Sequence, residues 1–179
     1  GGDAGPRQMI VENRTRLTGL LPNFYYNAEE ETMKIAIASD HAGFVLKPAI
    51  VEYIRELGHE VKDFGPFDDS RVNYPDYALK VSESVAGGEC DLGVLICGTG
   101  IGMAITANKV RGIRCGSVSE SYSARMSREH NNANVISFGA RVVGEDIAKD
   151  IVKAFLEGEF QGGRHGDRVK IIRDYESCH

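Results

Sequence analysis

The chain has 179 residues, 42% of them hydrophobic and 26% charged, with a formal net charge of -5. That is enough apolar content for a real core and suits one domain, or one domain with an extension. The acidic balance gives no general affinity for nucleic acid or for an anionic membrane, and no apolar run approaches the roughly 20 residues that span a bilayer.

Residues 1–32 have no sustained period and many polar, Gly and Pro positions. They read as an extension, in part an expression remnant by the Gly-Gly start, with "LTGLLPNFYY" apolar enough to dock. A regular pattern begins at Met33. "MKIAIAS" reads as a buried strand. "FVLKPAIVEYIRELG" reads as a helix, with Ile50, Ile54 and Leu57 at helical spacing, Pro48 in or near the first turn, and Gly58 at the end. "HEVKDFG" is a second strand, and the loop "PFDDSRVNYP" leads to a helix, "DYALKVSESVAGG". "CDLGVLIC" is the third strand, followed by a glycine turn and the short helix "GMAITANKV". "IRCGSV", "ESYSARMSREHNN", "ANVISFG" and "GEDIAKDIVKAFLEG" continue as strand, helix, strand, helix. "RHGDRVKIIRDYES" closes the chain as a helix. This alternation predicts an α/β domain whose parallel sheet is covered on both faces, with strands that are near-continuous apolar runs.

Ligands of an open parallel sheet bind beyond the carboxyl ends of its strands. Those ends carry Ser39-Asp40-His41, Cys97-Gly98-Thr99-Gly100, Ser117 and Ser119, and Gly139-Ala140-Arg141. An acid, an imidazole, a thiol, hydroxyls and a guanidinium are thus predicted on one edge. Gly98, Gly100 and Gly102 permit a tight turn whose N–H groups run into a helix start, which makes an anion nest. The spacing is G-x-G-x-G after the third strand, so a dinucleotide site rests on fold analogy alone, and tight strand-to-helix packing is the plainer reading.

Cys97 is open to two readings. A cysteine ending a buried strand is a small core residue, whereas one beside a nest of N–H donors sits where thiols become reactive. Cys90, Cys115 and Cys178 have no such context. The four cysteines show no CxxC pair and no Cys/His ligand spacing, which argues against structural zinc. With no secretory pattern, the expected compartment is the reducing cytoplasm. Asp40 and His41 are either a helix cap with a surface histidine or ligand groups. His130 either ends a helix at its negative pole or belongs to a site. Arg164 and Arg168 lie four apart on one helical face, either solvated or holding an anion such as a phosphate, and Arg141 is placed to join them. His59, His165 and His179 read as solvated positions.

"IASDHAGFVLK", "NYPDYA", "ICGTGIGMAITANKVRGIR", "SREHNNANVISFGARVVG" and "GGRHGDRV" together resemble the type B ribose-5-phosphate isomerases, a group whose wider family includes galactose-6-phosphate isomerase subunits. The resemblance covers about residues 33 to 176, the isomerase domain, and leaves 177–179 as a tail. It implies a Rossmann-like three-layer sandwich with a five-stranded parallel sheet between helices. It implies a homodimer with active sites shared across the interface, or a tetramer of such dimers, and a sugar-phosphate substrate with neither metal nor organic cofactor. It further implies roles. Cys97 matches the base that moves a proton between C2 and C1. Gly98, Thr99, Gly100, Ile101 and Gly102 match an anion hole for the enediolate, and Thr99 also a shuttle for the hydroxyl proton. Asp40 and His130 match the ring-opening groups, His130 from the partner subunit, with Asn131 a neighbouring contact. His41, Arg141, Arg164 and Arg168 match a phosphate clamp, and Tyr74 lines the sugar pocket. A branch of the family carries its base as a glutamate after the glycine turn; Met103 stands at that place here. Two further readings are a hexose phosphate isomerase, for allose or galactose 6-phosphate, and a non-catalytic sugar-phosphate or redox sensor.

Overall fold

Strand and helix alternate through β1 (Lys34–Ser39), α1 (Lys47–Glu56), β2 (Glu60–Asp63), α2 (Tyr74–Ala86), β3 (Leu92–Cys97), α3 (Ile101–Ala107), β4 (Cys115–Ser117), α4 (Ser121–Asn131), β5 (Val135–Gly139), α5 (Glu145–Leu156) and α6 (Gly163–Cys178). The computed structural model describes residues 31–179. The docking expected of "LTGLLPNFYY" lies outside the described residues.

All strand pairs are parallel, in the order β2-β1-β3-β5-β4. Alternation along the strands divides the core. Ile35, Ile37, Val94, Ile96, Ile136 and Phe138 face a layer built from α1, α4 and α5. Ala36, Ala38, Leu95 and Cys97 face α2 and α3. The second face is rich in small residues, Ala36, Ala38 and Cys97 among them, and its helices approach closely. A Cβ on Gly93 would meet Val81 Cγ1 at 2.7 Å.

The predicted three-layer α/β sandwich is therefore present, with two differences of detail. Only β1, β3 and β5 are buried throughout most of their length; β2 and β4 lie at the sheet edges and are part-exposed. Edge strands have one covered side fewer, which is why β4 shrinks to three residues from the six predicted. The second helix starts at Tyr74, earlier than expected, because Pro75 fits the first turn, where its missing N–H costs nothing.

Both ends of α4 are fixed by caps. The Glu120 carboxylate accepts from the Ser123 N–H at 2.9 Å and caps its start. Asn132, at φ 47°, ends the same helix in the left-handed conformation. Between them, α4 starts beyond β4 at the carboxyl edge of the sheet and stops just before β5 at the amino edge.

Lys47 is an unexpected buried cation, only 3% exposed, and it stands at the N-terminus of α1, where the helix dipole disfavours positive charge. Its Nζ donates to Asp63 Oδ1 at 2.8 Å and to the Pro66 carbonyl at 2.7 Å. Asp63 Oδ1 also accepts from the Gly65 N–H at 2.8 Å, and the Gly65 carbonyl accepts from the Ser39 N–H at 3.0 Å. The ammonium thus ties α1 and β2 to the end of β1. Lys47→Met keeps the apolar stem and strands the Asp63 carboxylate; a loss of about 2–3 kcal/mol in denaturant unfolding is the expected result.

Candidate active site

Cys97 is the last residue of β3, 5% exposed, on the α2–α3 side of the sheet. Its Sγ accepts the Gly100 N–H at 3.1 Å. Gly100 has φ 81°, and a Cβ there would lie 2.7 Å from the Phe138 Cα. Both the left-handed backbone and the contact with β5 require glycine. The turn is held from behind: the Ser137 hydroxyl donates to the Gly100 carbonyl at 2.6 Å, and Ala140 and Arg141 N–H groups donate to the Cys97 and Gly98 carbonyls at 2.8 and 3.1 Å. Thr99 Oγ1 accepts the Ile101 N–H at 3.3 Å. The N–H groups of Gly98, Thr99 and Gly102 have no protein acceptor among the described residues. Met103 is fully buried in the cluster that contains Cys97 and supplies no polar group.

The β1 end is locked beside this turn. Asp40 N–H donates to the Ile96 carbonyl at 3.1 Å, and Gly43 packs so closely that a Cβ would sit 2.1 Å from the same oxygen. Asp40 Oδ1 accepts the Ala42 and Gly43 N–H groups, both at 2.9 Å, so this oxygen caps its own turn. Oδ2 accepts no protein hydrogen bond among the described residues. His41 is half-buried, and its buried Nδ1 has no partner among the described residues. A Cβ on Gly98 would meet the Arg141 Nη1 at 3.4 Å, which lays the guanidinium over the turn. The Tyr74 ring lies against Gly102, 2.9 Å from a Cβ built there. Asp40, His41, Tyr74, Cys97 through Gly102 and Arg141 are therefore brought together at the β1/β3 junction, where the strand order turns outward.

His130, Asn131, Arg164 and Arg168 are not brought to that edge. His130 and Asn131 end α4, just before β5 starts at the opposite edge, and the two arginines open α6. The arginines are exposed and form no ion pair among the described residues. Asn131 also lines an open cavity of about 840 Å³ with Arg114, Cys115, Tyr175 and Glu176. Burial pushes the Cys115 thiol up to about 12, which keeps it protonated near neutral pH. Among the described residues no cluster of His, Cys, Asp or Glu could hold a metal ion, and no helix is long and apolar enough to cross a membrane.

Two residues escaped the sequence reading. Ser137 sits inside a predicted strand, with nothing to mark its hydroxyl as the anchor of the turn. His165, read as solvated, is 8% exposed and stacks on His130, ring centroids 4.1 Å apart and planes within 6°. The partner lies on another helix, so no local pattern announces it.

A family model described as ribose/galactose isomerase matches residues 35–172. The chain belongs to the ribose/galactose isomerase family. Membership makes it an isomerase, an intramolecular oxidoreductase. Ribose-5-phosphate isomerase B of Escherichia coli is 52% identical over 143 residues, covering 80% of this chain and 96% of that one. The solved ribose-5-phosphate isomerase B of Clostridium thermocellum is 54% identical with a TM-score of 0.80, covering 82% of this chain and 99% of that one. The Mycoplasma genitalium isomerase B with bound ribulose-5-phosphate is 41% identical with a TM-score of 0.78, covering 80% and 96%. These matches confirm the fold and family expected from the sequence motifs.

The pKa of His165 is lowered from the ordinary 6.5, first by burial, then by His130, Arg164 and Arg168. As pH falls, the unfolded chain therefore takes up this proton before the folded one does. The stability contributed by the neutral ring is present above about pH 6.5 and is lost as pH falls through that value toward the lower folded-state one. Denaturant titrations at about pH 7.5 and about pH 5.5 should show a larger acid loss in wild type than in His165→Phe.

Proposed function

We propose that this chain interconverts ribose 5-phosphate and ribulose 5-phosphate through an enediolate, with Cys97 as the base. The observation that carries this reading is the Gly100 N–H aimed at Cys97 Sγ, beside N–H groups that have no protein acceptor among the described residues. A proton on carbon next to a carbonyl is weakly acidic, so its removal needs a positioned base and donors aimed at the oxygen that becomes negative. One turn supplies both. The Cys97 thiolate takes the C2 proton of the open aldose, the carbonyl oxygen at C1 takes the resulting charge, and N–H groups from Gly98 to Gly102 stabilise it. The thiol then returns the proton to C1, while the O2 proton passes to O1 with Thr99 as shuttle.

Ribose 5-phosphate exists mostly as a closed ring, which must open first. Asp40, through its unoccupied Oδ2, and His130 are the acid–base pair for that step, with Asn131 beside them. His41 and Arg141 hold the phosphate from one side, Arg164 and Arg168 from the other, and Tyr74 walls the sugar. Binding a remote phosphate supplies energy for orientation at the reacting carbons.

These groups lie on opposite edges of one chain, so a complete site needs two copies. A two-fold pair that sets the carboxyl edge of one against the amino edge of the other makes two complete sites. Ile101, Ile105 and Val142 are 55%, 58% and 58% exposed around the carboxyl edge, an apolar surface suited to such a pairing.

Purified protein should turn over ribose 5-phosphate in preference to allose or galactose 6-phosphate, and Cys97→Ala should lose about 10²–10⁴-fold in kcat. Deuterium uptake from solvent into the C1 position of ribulose 5-phosphate should disappear with it. Full activity in Cys97→Ala contradicts the base assignment. Binding without any exchange in wild type makes the protein a sensor.

A further inference from the structure

We propose that His165 is a positioning residue for His130, fixing the plane of its imidazole through the parallel stack between α6 and α4. This rests on the reading of His130 as a ring-opening group and goes beyond it, since the stack gives a role to a side chain outside the proposed site.

The geometry is specific. Two rings with centroids 4.1 Å apart and planes within 6° of parallel are stacked, so turning either about its Cβ–Cγ bond breaks the parallel contact. His165 is one of two buried residues of α6, the other being Val169 one turn on, while its neighbours Arg164 and Arg168 are exposed. The helix therefore points His165 inward at α4 and leaves the two guanidiniums outward. On the α4 side, His130 sits in the last turn, where the Asn132 N–H returns to the Arg128 carbonyl at 3.1 Å, so the backbone beneath the ring is fixed as well. Glu129, the adjacent acid, is held elsewhere: its carboxylate accepts from Gln161 Nε2 at 2.9 Å and lies 4.0 Å from Arg125. The charged groups that act on His165 are His130 from α4 and Arg164 and Arg168 from α6, all of them cationic or able to be.

That arrangement has a chemical use. Two stacked imidazolium ions repel, so charge on the one ring disfavours charge on His165. Burial, then His130 and the two arginines, lower the His165 pKa and so disfavour its charged form. A general acid–base group needs a fixed direction to the oxygen it serves, and an error of about an ångström costs on the order of a hundredfold. A neutral aromatic ring holds direction without competing for the proton. Phenylalanine can do the first and cannot take a proton at all, so it separates stacking from titration.

The test uses the full-length protein and two readouts that a general structural defect would move together. Net conversion of ribose 5-phosphate requires ring opening. Deuterium uptake into C1 of ribulose 5-phosphate does not, because that ketose has its C5 oxygen phosphorylated and stays open. His165→Ala should lower kcat for conversion about ten- to a hundredfold, with exchange within about twofold of wild type, and His165→Phe should recover most of the loss. In proton NMR, the His130 ring resonance should lose its upfield ring-current shift in His165→Ala and keep it in His165→Phe. Equal losses in conversion and exchange, no loss in His165→Ala, or no rescue by phenylalanine overturns the proposal. His130→Ala measured alongside keeps the two claims apart. If it spares conversion, the ring-opening reading fails. If it abolishes conversion alone while His165→Ala does nothing, only the stack fails.

Discussion

The site depends on one close approach, between the turn after β3 and the backbone of β5. A Cβ on Gly100 would lie 2.7 Å from Phe138, and one on Gly139 would lie 2.6 Å from the Thr99 Cα. Neither position admits a side chain, so the two strand ends meet backbone to backbone. Ser137 closes the seam with its hydroxyl on the Gly100 carbonyl. The shape of the turn after β3 is set by that contact. The carbonyl of Gly100 is turned toward β5, its N–H is turned toward Cys97, and the Gly98, Thr99 and Gly102 N–H groups keep no protein acceptor among the described residues. Arg141, continuing from β5, hydrogen-bonds back to Gly98 and lays its guanidinium over the same turn. An isolated glycine-rich loop would have no single shape. Here the sheet imposes one.

A second constraint comes from connectivity. In a parallel sheet every strand runs the same way, so each helix must return the chain from the carboxyl edge to the amino edge. Groups at the start of a returning helix and groups at its end are kept apart by the length of the element. Cys97 ends a strand and Asp40 and Arg141 follow strands, whereas His130 precedes one. No adjustment of side chains joins them within one molecule; in the shared site we propose, a second copy supplies what the topology separates. Under that proposal, the apolar residues exposed around the Cys97 turn favour the contact that completes the site.

The reading of the sequence succeeded where the fold makes a strand end predictable. "CDLGVLIC" and "ANVISFG" are apolar runs closed by or leading into glycine, and a parallel sheet puts their carboxyl-terminal neighbours on the ligand edge, which is where Cys97 and Arg141 lie. The short edge strands were harder. Burial of β2 and β4 depends on their place in the strand order, which their own residues do not state. The remaining misses share one cause. Nothing local marks Lys47 before Asp63 and Pro66 close around it, nothing marks the Ser137 hydroxyl within its strand, and His165 reads as solvated until α6 sets it against α4. Each is defined by a partner distant in the chain. Spacing alone also left Cys97 undecided between core and chemistry. The motif resemblance favoured chemistry, and the Gly100 N–H on its sulfur supports that choice.

The central claim is that Cys97 of one molecule and His130 of another serve the same substrate. Mixing two inactive variants tests it directly. Cys97→Ala and His130→Ala each damage every site of a homodimer, whereas a mixed dimer holds one site with both residues intact. Co-expressed in equal amounts with random pairing, the two should regain about a quarter of wild-type turnover of ribose 5-phosphate. Activity no greater than the sum of the separate variants would contradict the shared site.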